Sequence, residues 1–164
     1  MKNAYFYITS IGKVLITEDR EGITGLMILS KEEDLEQKEQ FILNYKIVET
    51  EQIKETAKQL MEYLQGTRKV FDIRINPNGT PFQKQVWEAL RAIPYGETRS
   101  YKEIAREIGN EKASRAVGGA NNRNPILCII PCHRVIGAKG ELVGFGAGLD
   151  VKEKLLTLEK NNFN

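Results

Sequence analysis

A cluster of turn-forming residues, NPNGTP at positions 76–81, divides this sequence into two parts with different hydrophobic patterns. Asparagine, glycine and proline favour turns, so regular structure rarely continues through such a cluster. After the cluster, apolar residues recur mainly at helical spacing. The pattern predicts an α+β protein with an N-terminal α/β domain, residues 1–76, and a mainly helical C-terminal domain, residues 77–164. Before the cluster, five segments rich in β-branched and aromatic residues are predicted strands: NAYFYITSI, GKVLITED, GITGLMILS, FILNYKIVE and VFDIRI.

Two segments flanking the cluster are predicted helices, TEQIKETAKQLMEYLQG and PFQKQVWEALRAI. Thr50 is the predicted N-cap of the first, and Gly66 follows its last turn. Thr80 is the predicted N-cap of the second, with Pro81 at its first position. The acidic stretch KEEDLEQKEQ, residues 31–40, is predicted to be a solvated turn or a short helix.

Composition narrows the functional class. Hydrophobic residues make up 41% and charged residues 28% of the 164-residue chain, which is typical of soluble globular proteins. The sequence has no apolar run of transmembrane length and no signal-peptide pattern, so we expect no membrane association. Residues 71–164 hold 14 basic and 10 acidic residues, an excess that permits an anionic partner.

The two cysteines, Cys128 and Cys132, are separated by only three residues. If this segment is extended it spans about 13 Å at about 3.3 Å per residue, whereas a disulfide needs Cα atoms within about 7 Å. We therefore expect two free thiols, in keeping with a reducing cytoplasm. Two thiols and one histidine are too few for a usual four-ligand zinc site, so neither a metal nor another cofactor is predicted.

Two short helices are predicted after residue 99. Ser100 can cap a helix over residues 101–108, with Glu103 completing a capping box. A second helix, at about residues 112–120, follows a turn that contains Gly109. Such a pair is either a helix-turn-helix or a plain αα-hairpin, and the pattern alone does not choose between them.

The second of these helices has an unusual surface, because small residues surround Arg115. Glycine inside a helix costs about 1 kcal/mol relative to alanine. Two successive glycines therefore indicate that something approaches the backbone closely, either a neighbouring helix or a groove of DNA. The small residues are Ala113, Ser114, Ala116, Gly118, Gly119 and Ala120.

The segment ILCIIP is predicted to be a short buried strand that Pro131 ends. Cys132 would then lie at a corner beside His133, the single histidine of the chain. A cysteine nucleophile needs a base within reach, and the base is more effective when a third group holds its other nitrogen. Glu159, near the buried edge of a predicted C-terminal helix, could be that group. The same pattern also fits a buried structural cysteine beside a surface histidine.

Four segments, in order, resemble one family. IPCHRVIG resembles the active-site signature of the O6-alkylguanine-DNA alkyltransferases, also called methylated-DNA–protein-cysteine methyltransferases. GTPFQKQVWEALRAIPYGETRSY resembles the helix and loop before their DNA-binding motif, and SRAVGGANNRNP resembles their recognition helix and hinge. GFGAGLDVKEKLL resembles their closing loop and final helix. The resemblance runs from about Gly79 to Glu159, and residues before it only fit the family's variable N-terminal domain.

The resemblance implies DNA repair by direct reversal: a single-use transfer of the alkyl group from O6-alkylguanine in double-stranded DNA to Cys132, with O4-alkylthymine as a further candidate substrate. It implies that His133 is the base, acting through a bridging water, and that Glu159 orients it. By the same resemblance, Tyr101 would assist flipping of the base and donate toward the guanine. Asn124 would brace the active-site turn.

The resemblance also implies that the recognition helix lies in the minor groove and that Arg115 fills the space left by the flipped base. The loop from Val143 to Gly148 would close over that base, with Lys152 near the pocket. The expected DNA-binding residues further include Ala113, Ser114, Gly118 and Gly119, and the expected loop contacts include Gly144, Phe145 and Gly146. We expect a cytoplasmic monomer.

Two other functions compete with this interpretation. Alkyltransferase-like proteins recognise alkylated bases but lack the cysteine, whereas Cys132 is present here. A Cys-His-Glu hydrolase would turn over repeatedly and would leave Arg115 and its small neighbours unexplained. The chain departs from the family at Phe145, where many members have tyrosine, and at Gly146, where some have serine. The range of alkyl groups that it accepts therefore stays open.

Overall fold

The computed structural model describes residues 2–29 and 43–163, and the chain divides into two units, residues 1–77 and 78–164. The acidic stretch predicted to be a turn or short helix lies outside the described residues. None of the described helices is long and apolar enough to cross a membrane.

The first unit is built on a four-stranded sheet with the order β3-β2-β1-β4. The first three strands form an antiparallel meander, and the short β4 pairs parallel with β1. The strands are β1 (Asn3–Thr9), β2 (Gly12–Asp19), β3 (Gly22–Ile28) and β4 (Lys46–Ile47).

Helix α1 (Glu51–Leu64) contacts this sheet. The Thr50 hydroxyl accepts a hydrogen bond from the backbone N–H of Ile53 at 3.2 Å, and Gly66 has a φ of 82° after the last turn, so both predicted ends are confirmed. The apolar spacing gives the helix one buried face, formed by Ile53, Ala57, Leu60 and Tyr63.

Two predicted strands of the first unit are largely wrong. Within the described part of FILNYKIVE, only Lys46–Ile47 is a strand. VFDIRI is not a strand and makes a single bridge, from Ile75 to Ile23. For VFDIRI the reason lies in Gln59 of α1, whose side chain accepts from the Asp72 N–H at 2.9 Å and donates to the Asp72 carbonyl at 3.3 Å. These bonds occupy backbone groups that a strand would use in a ladder.

The second unit is mainly helical, and its helices begin at well-formed caps. Thr80 forms a capping box with Gln83, for which the sequence predicts only the N-cap. Ser100 forms the predicted capping box with Glu103. The elements are α2 (Pro81–Arg91), β5 (Arg99–Ser100), α3 (Tyr101–Glu107), α4 (Ser114–Asn122), a 3-10 turn (Cys132–Arg134), β6 (Val135–Ile136) and α5 (Leu149–Asn161).

Helices α3 and α4 pack against each other and both contact α2. The turn between them contains Gly109, whose φ of 81° ends α3, and the Asn110 N–H donates to the Ala105 carbonyl at 2.9 Å. Helix α4 begins and ends about two residues later than predicted. Two short helices joined by this turn are what both predicted alternatives, the helix-turn-helix and the αα-hairpin, have in common.

Candidate active site

The strand predicted for ILCIIP is wrong, because the segment folds into consecutive turns. Asn124 causes this: its amide donates to the Ile130 carbonyl at 2.7 Å and accepts from the Ile126 N–H at 2.9 Å. The backbone of Ile130 also donates to the Ile126 carbonyl at 3.0 Å, and Cys128 has a φ of 68°. One side chain thus supplies the bonds that a ladder would supply and draws the segment into a loop before Cys132.

Cys132 begins the 3-10 turn and is buried, with 2% of its surface exposed. The turn provides the bend that the Pro-Cys-His sequence requires if neighbouring side chains are to serve one site. Burial raises the pKa of the Cys132 thiol to about 11, although the Asn124 amide and the Lys152 ammonium act to lower it. Cys128 is also a buried free thiol, and burial raises its pKa.

His133 and Glu159 meet as predicted and are fully buried. His133 Nε2 lies 2.5 Å from Glu159 Oε2. Burial acts to raise the pKa of Glu159, but the hydrogen bonds from His133 and Arg134 and the positive charge of Arg134 outweigh it and hold that pKa far below its usual range. Glu159 is therefore an ionised carboxylate that can only accept, so His133 donates from Nε2 and keeps a basic lone pair on Nδ1.

Sequence reasoning missed two groups that hold Glu159. Arg134 donates from Nε to Oε1 at 2.8 Å and from Nη2 to Oε2 at 3.0 Å, and its Nη1 donates to the Ile93 carbonyl at 2.7 Å. The Gly96 N–H donates to Oε1 at 3.0 Å. Arginine immediately after the Cys-His pair is a signal that could have been used, whereas a backbone donor leaves none in the sequence.

The ionisation of His133 follows from this environment. Burial lowers its pKa most, Glu159 raises it, and the positive charges of Arg134 and Lys152 lower it further. The net shift is downward, so the imidazole is neutral near pH 7 and can accept a proton.

Lys152 and Tyr101 meet at one backbone carbonyl. Lys152 is fully buried, and its Nζ donates to the carbonyls of Val135 and Val143, the latter at 2.9 Å. The Tyr101 hydroxyl donates to the same Val143 carbonyl at 2.9 Å. Burial, followed by the nearby Cys132, raises the pKa of Tyr101, which keeps its hydroxyl protonated. The structure therefore brings Tyr101 and Lys152 together at the start of the loop from Val143 to Gly148.

The loop beyond Val143 lies close to Tyr101 and to the end of α4. A Cβ on Gly144, where φ is 59°, would lie 3.2 Å from the Tyr101 hydroxyl. A Cβ on Gly146 would lie 3.1 Å from the Asn122 carbonyl, and the Phe145 ring lies 5.9 Å from Lys152 Nζ. The absence of a side chain at Gly144 and Gly146 allows the loop to lie this close to Tyr101 and Asn122. Asn122 was not among the predicted site residues.

The exposed surface of α4 carries Arg115, Ala116 and Gly119. A Cβ on Gly118 would make ordinary contact, at 3.8 Å, with the Tyr101 ring, and one on Gly119 would meet no described atom within 4 Å. A neighbouring helix therefore does not explain the two glycines. Ala113 and Ser114 lie half-buried at the start of the helix.

No group of three histidine, cysteine, aspartate or glutamate side chains among the described residues could hold a metal ion. The second unit thus holds a buried thiol, a histidine bonded to an ionised carboxylate, and a phenolic hydroxyl. This combination suits nucleophilic chemistry at a buried cysteine.

Comparison with known proteins identifies the family for both units. The model described as 6-O-methylguanine DNA methyltransferase, DNA binding domain, matches residues 81–161. The model described as 6-O-methylguanine DNA methyltransferase, ribonuclease-like domain, matches residues 4–77. Both the resemblance noted in the sequence and the predicted two-domain α+β class are thereby confirmed.

Individual relatives are similar in sequence to this chain over more than nine-tenths of its length. A methylated-DNA–protein-cysteine methyltransferase of Methanosarcina acetivorans is 51% identical over 91% of this chain and 92% of its own length. The constitutive enzyme of that name from Bacillus subtilis is 44% identical, over 94% of this chain and 93% of its own. The crystal structure of Mycobacterium tuberculosis OGT in complex with DNA has a TM-score of 0.86 and 39% identity, covering 98% of this chain and 94% of the other. The chain therefore belongs to the 6-O-methylguanine DNA methyltransferase family, and it is a DNA-repair enzyme that works by alkyl transfer.

Proposed function

We propose that Cys132 is the acceptor in this reaction and that it takes the alkyl group from O6-alkylguanine in double-stranded DNA. Residues 77–164 form the domain that binds DNA and performs the transfer. The observation that carries the proposal is the buried Cys132 followed directly by His133, whose Nε2 lies 2.5 Å from the ionised Glu159. A thiol with a pKa of about 11 is almost entirely protonated near pH 7, so transfer requires such a base.

The reaction begins with removal of the Cys132 proton. Nδ1 of His133 accepts it through a bridging water, and Glu159 stabilises the imidazolium that forms. The Asn124 amide and Lys152 favour the thiolate, because both act to lower the thiol pKa. Asn124 also holds the loop before Cys132 in place through its two backbone bonds.

The thiolate then attacks the alkyl carbon. Its electron pair forms the S–C bond, while the pair of the C–O6 bond returns to the guanine, which finally gains the proton taken from the thiol. The Tyr101 hydroxyl, whose one proton is donated to the Val143 carbonyl in the free protein, turns that proton toward the guanine as negative charge develops there. The product is a thioether without a carbonyl for water to attack, so each protein molecule reacts once.

The reacting base must leave the duplex, because a side chain cannot reach its O6 in line inside the stack. Helix α4 enters the minor groove with Arg115, which is exposed, in the space that the base vacates. This placement differs from the usual major-groove recognition helix. The open space beside Gly119 supports it, because the backbone there can approach DNA without a side chain between them.

The flipped guanine is bound beneath the loop from Val143 to Gly148. Tyr101 and Lys152 anchor this loop through the Val143 carbonyl. The protein acts as a monomer, since one chain contains every group that the transfer uses. A cytoplasmic location fits the chemistry, because a reducing compartment keeps the acceptor as a thiol.

The test is the intact mass of the protein after incubation with a duplex that contains one O6-methylguanine. We expect a gain of one methylene, at most one per protein, on the peptide that contains Cys132. The Cys132→Ala variant should gain no mass and still bind the duplex. Tight binding without any mass gain by the natural sequence would instead indicate a damage-recognition protein, and repeated turnover would indicate a hydrolase.

A further inference from the structure

Arg123, the residue that follows α4, continues the exposed row that begins at Arg115. Its N–H donates to the Gly119 carbonyl at 3.2 Å, so the helical spacing extends to this residue. At about 100° per residue, Arg123 lies between Gly119 and Ala116 around the helix axis. All four residues are exposed, and the Cβ position of Gly119 is open. Arg123 therefore belongs to the solvent-facing side of α4, which also carries Arg115.

The guanidinium of Arg123 has no carboxylate partner among the described residues. Three of the six arginines of the second unit form ion pairs with carboxylates within it: Arg99, Arg106 and Arg134. The other three are exposed and make no side-chain hydrogen bond or ion pair with any described residue: Arg91, Arg115 and Arg123. A guanidinium without a protein partner is available to an anion, and its planar group of donors matches the geometry of a phosphate.

The spacing of Arg115 and Arg123 fits a duplex held at α4. The two residues are eight positions apart, which places their Cα atoms about 12 Å apart along the axis at about 1.5 Å per residue. The minor groove is about 6 Å wide, and the two phosphate backbones form its edges. If Arg115 fills the space left by the flipped base, a phosphate of one edge is therefore the nearest charged group of the DNA to Arg123.

The end of α4 needs a cation if a phosphate is to approach it. The C-terminal end of a helix carries the negative end of its dipole, which repels an anion. Helix α4 has no basic residue in its own last turn. Arg123, directly after that turn, supplies a positive charge where the helix itself disfavours DNA.

We propose that Arg123 is a phosphate-binding residue of the DNA interface, which holds the duplex against the end of α4 while Arg115 acts within the base stack. This inference rests on the proposed function, in which α4 lies in the minor groove. A phosphate contact positions the duplex and reads no sequence. Arg123 therefore contributes to the binding of any duplex and takes no part in the transfer step.

The experiment measures how salt weakens the binding of full-length protein to an unmodified duplex, by fluorescence anisotropy between about 50 mM and 200 mM salt. Each phosphate contact contributes about 0.9 to the slope of log K against log salt concentration. Arg123→Gln should therefore lower the magnitude of that slope by about 0.9 and weaken binding about fivefold to tenfold at about 0.1 M salt. Arg123→Lys keeps the charge and should keep the slope.

Arg91→Gln is the matched control. Arg91 is also exposed and lies in the last turn of α2, so the variant loses the same charge from the same kind of helix end. It should bind DNA with the slope of the natural sequence, because Arg91 lies outside the row on α4. A second measurement separates binding from chemistry. Arg123→Gln should react at the natural rate with free O6-benzylguanine, and also with an O6-methylguanine duplex that is saturated with protein.

Three results would overturn the inference while leaving the proposed function intact. The first is an unchanged salt slope for Arg123→Gln. The second is an equal loss of slope in Arg91→Gln, which would mean that only the net charge of the unit matters. The third is slower reaction of Arg123→Gln with a saturated duplex, which would mean that the residue acts in flipping. Failure of the natural sequence to alkylate Cys132 would reject the proposed function itself.

Discussion

Gly119 and Gly109 allow a matched test of how α4 is used. Both have open space where a Cβ would be, with no described atom within 4 Å. They differ in backbone conformation, because Gly119 lies inside α4 whereas Gly109 has a φ of 81°. The same substitution, glycine to alanine, should therefore have opposite effects on stability at the two positions.

The expected magnitudes follow from backbone preference alone. Alanine at an exposed helix interior is favoured over glycine by about 0.8–1 kcal/mol, so Gly119→Ala should raise the free energy of unfolding by up to that amount. For a unit of this size that is a rise of roughly 4–8 °C in Tm. Alanine in the left-handed region costs about 1–2 kcal/mol, so Gly109→Ala should lower the free energy of unfolding.

Although Gly119→Ala should stabilise the fold, we expect it to weaken DNA binding. Its new methyl group would lie on the α4 surface that we place in the minor groove, so the variant should bind duplex DNA more weakly. Its reaction with free O6-benzylguanine should be unchanged, because the free base needs no groove contact. Thermal unfolding, fluorescence anisotropy of a labelled duplex and single-turnover rates measure the three quantities. Normal DNA affinity in a stabilised Gly119→Ala variant would refute the groove placement, and a destabilised variant would refute the argument from open space.

Three further predictions concern other parts of the second unit. Arg115→Ala should slow reaction with an alkylated duplex more than reaction with free O6-benzylguanine, and equal losses in the two assays would contradict its role in flipping. Asn121 is 1% exposed and neither end of its amide has a hydrogen-bond partner among the described residues, so Asn121→Leu should raise the free energy of unfolding by about 1–2 kcal/mol in denaturant titrations. Glu159→Gln should cost about 3–5 kcal/mol at pH 7 by leaving Arg134 without its carboxylate. Because the folded-state pKa of Glu159 is depressed, its contribution is complete above the unfolded value of about 4.3 and is lost below it. The difference in free energy of unfolding between the natural sequence and Glu159→Gln should therefore shrink as the pH falls from about 5 toward 3. A difference that does not change with pH would contradict this prediction.

Local features of this fold could be predicted from the sequence because their causes lie within a few residues. Thr50 caps α1 through the N–H three positions later, and Ser100 and Glu103 form a capping box on α3. Glycines with positive φ follow both helices, as at Gly66 and Gly109. Such pairs are visible in the sequence as fixed spacings, so the ends of these elements are found to within one or two residues.

Two of the wrong strand predictions, VFDIRI and ILCIIP, have a different cause, because in each a side chain rather than a neighbouring strand binds the backbone. Gln59 binds the backbone of Asp72 from 13 positions away, and Asn124 binds that of Ile126 and Ile130. The hydrophobic pattern predicts that ILCIIP is buried, but it does not predict which groups form hydrogen bonds with its backbone. Lys152 illustrates the same limit, because its pairing with two carbonyls depends on where α5 packs.

The burial of Cys132 suits a protein that can react only once. With a thiol pKa of about 11, roughly one molecule in ten thousand carries the thiolate at pH 7 before a base acts. An exposed cysteine with a low pKa would attack any electrophile that reached it and would use up the protein without repairing DNA. Here the thiol is shielded from solvent, and the groups that can generate the thiolate are held in the same buried cluster. In the mechanism that we propose, the high pKa therefore protects Cys132 from other electrophiles, while His133, Asn124 and Lys152 make the thiolate available to a guanine bound in the site.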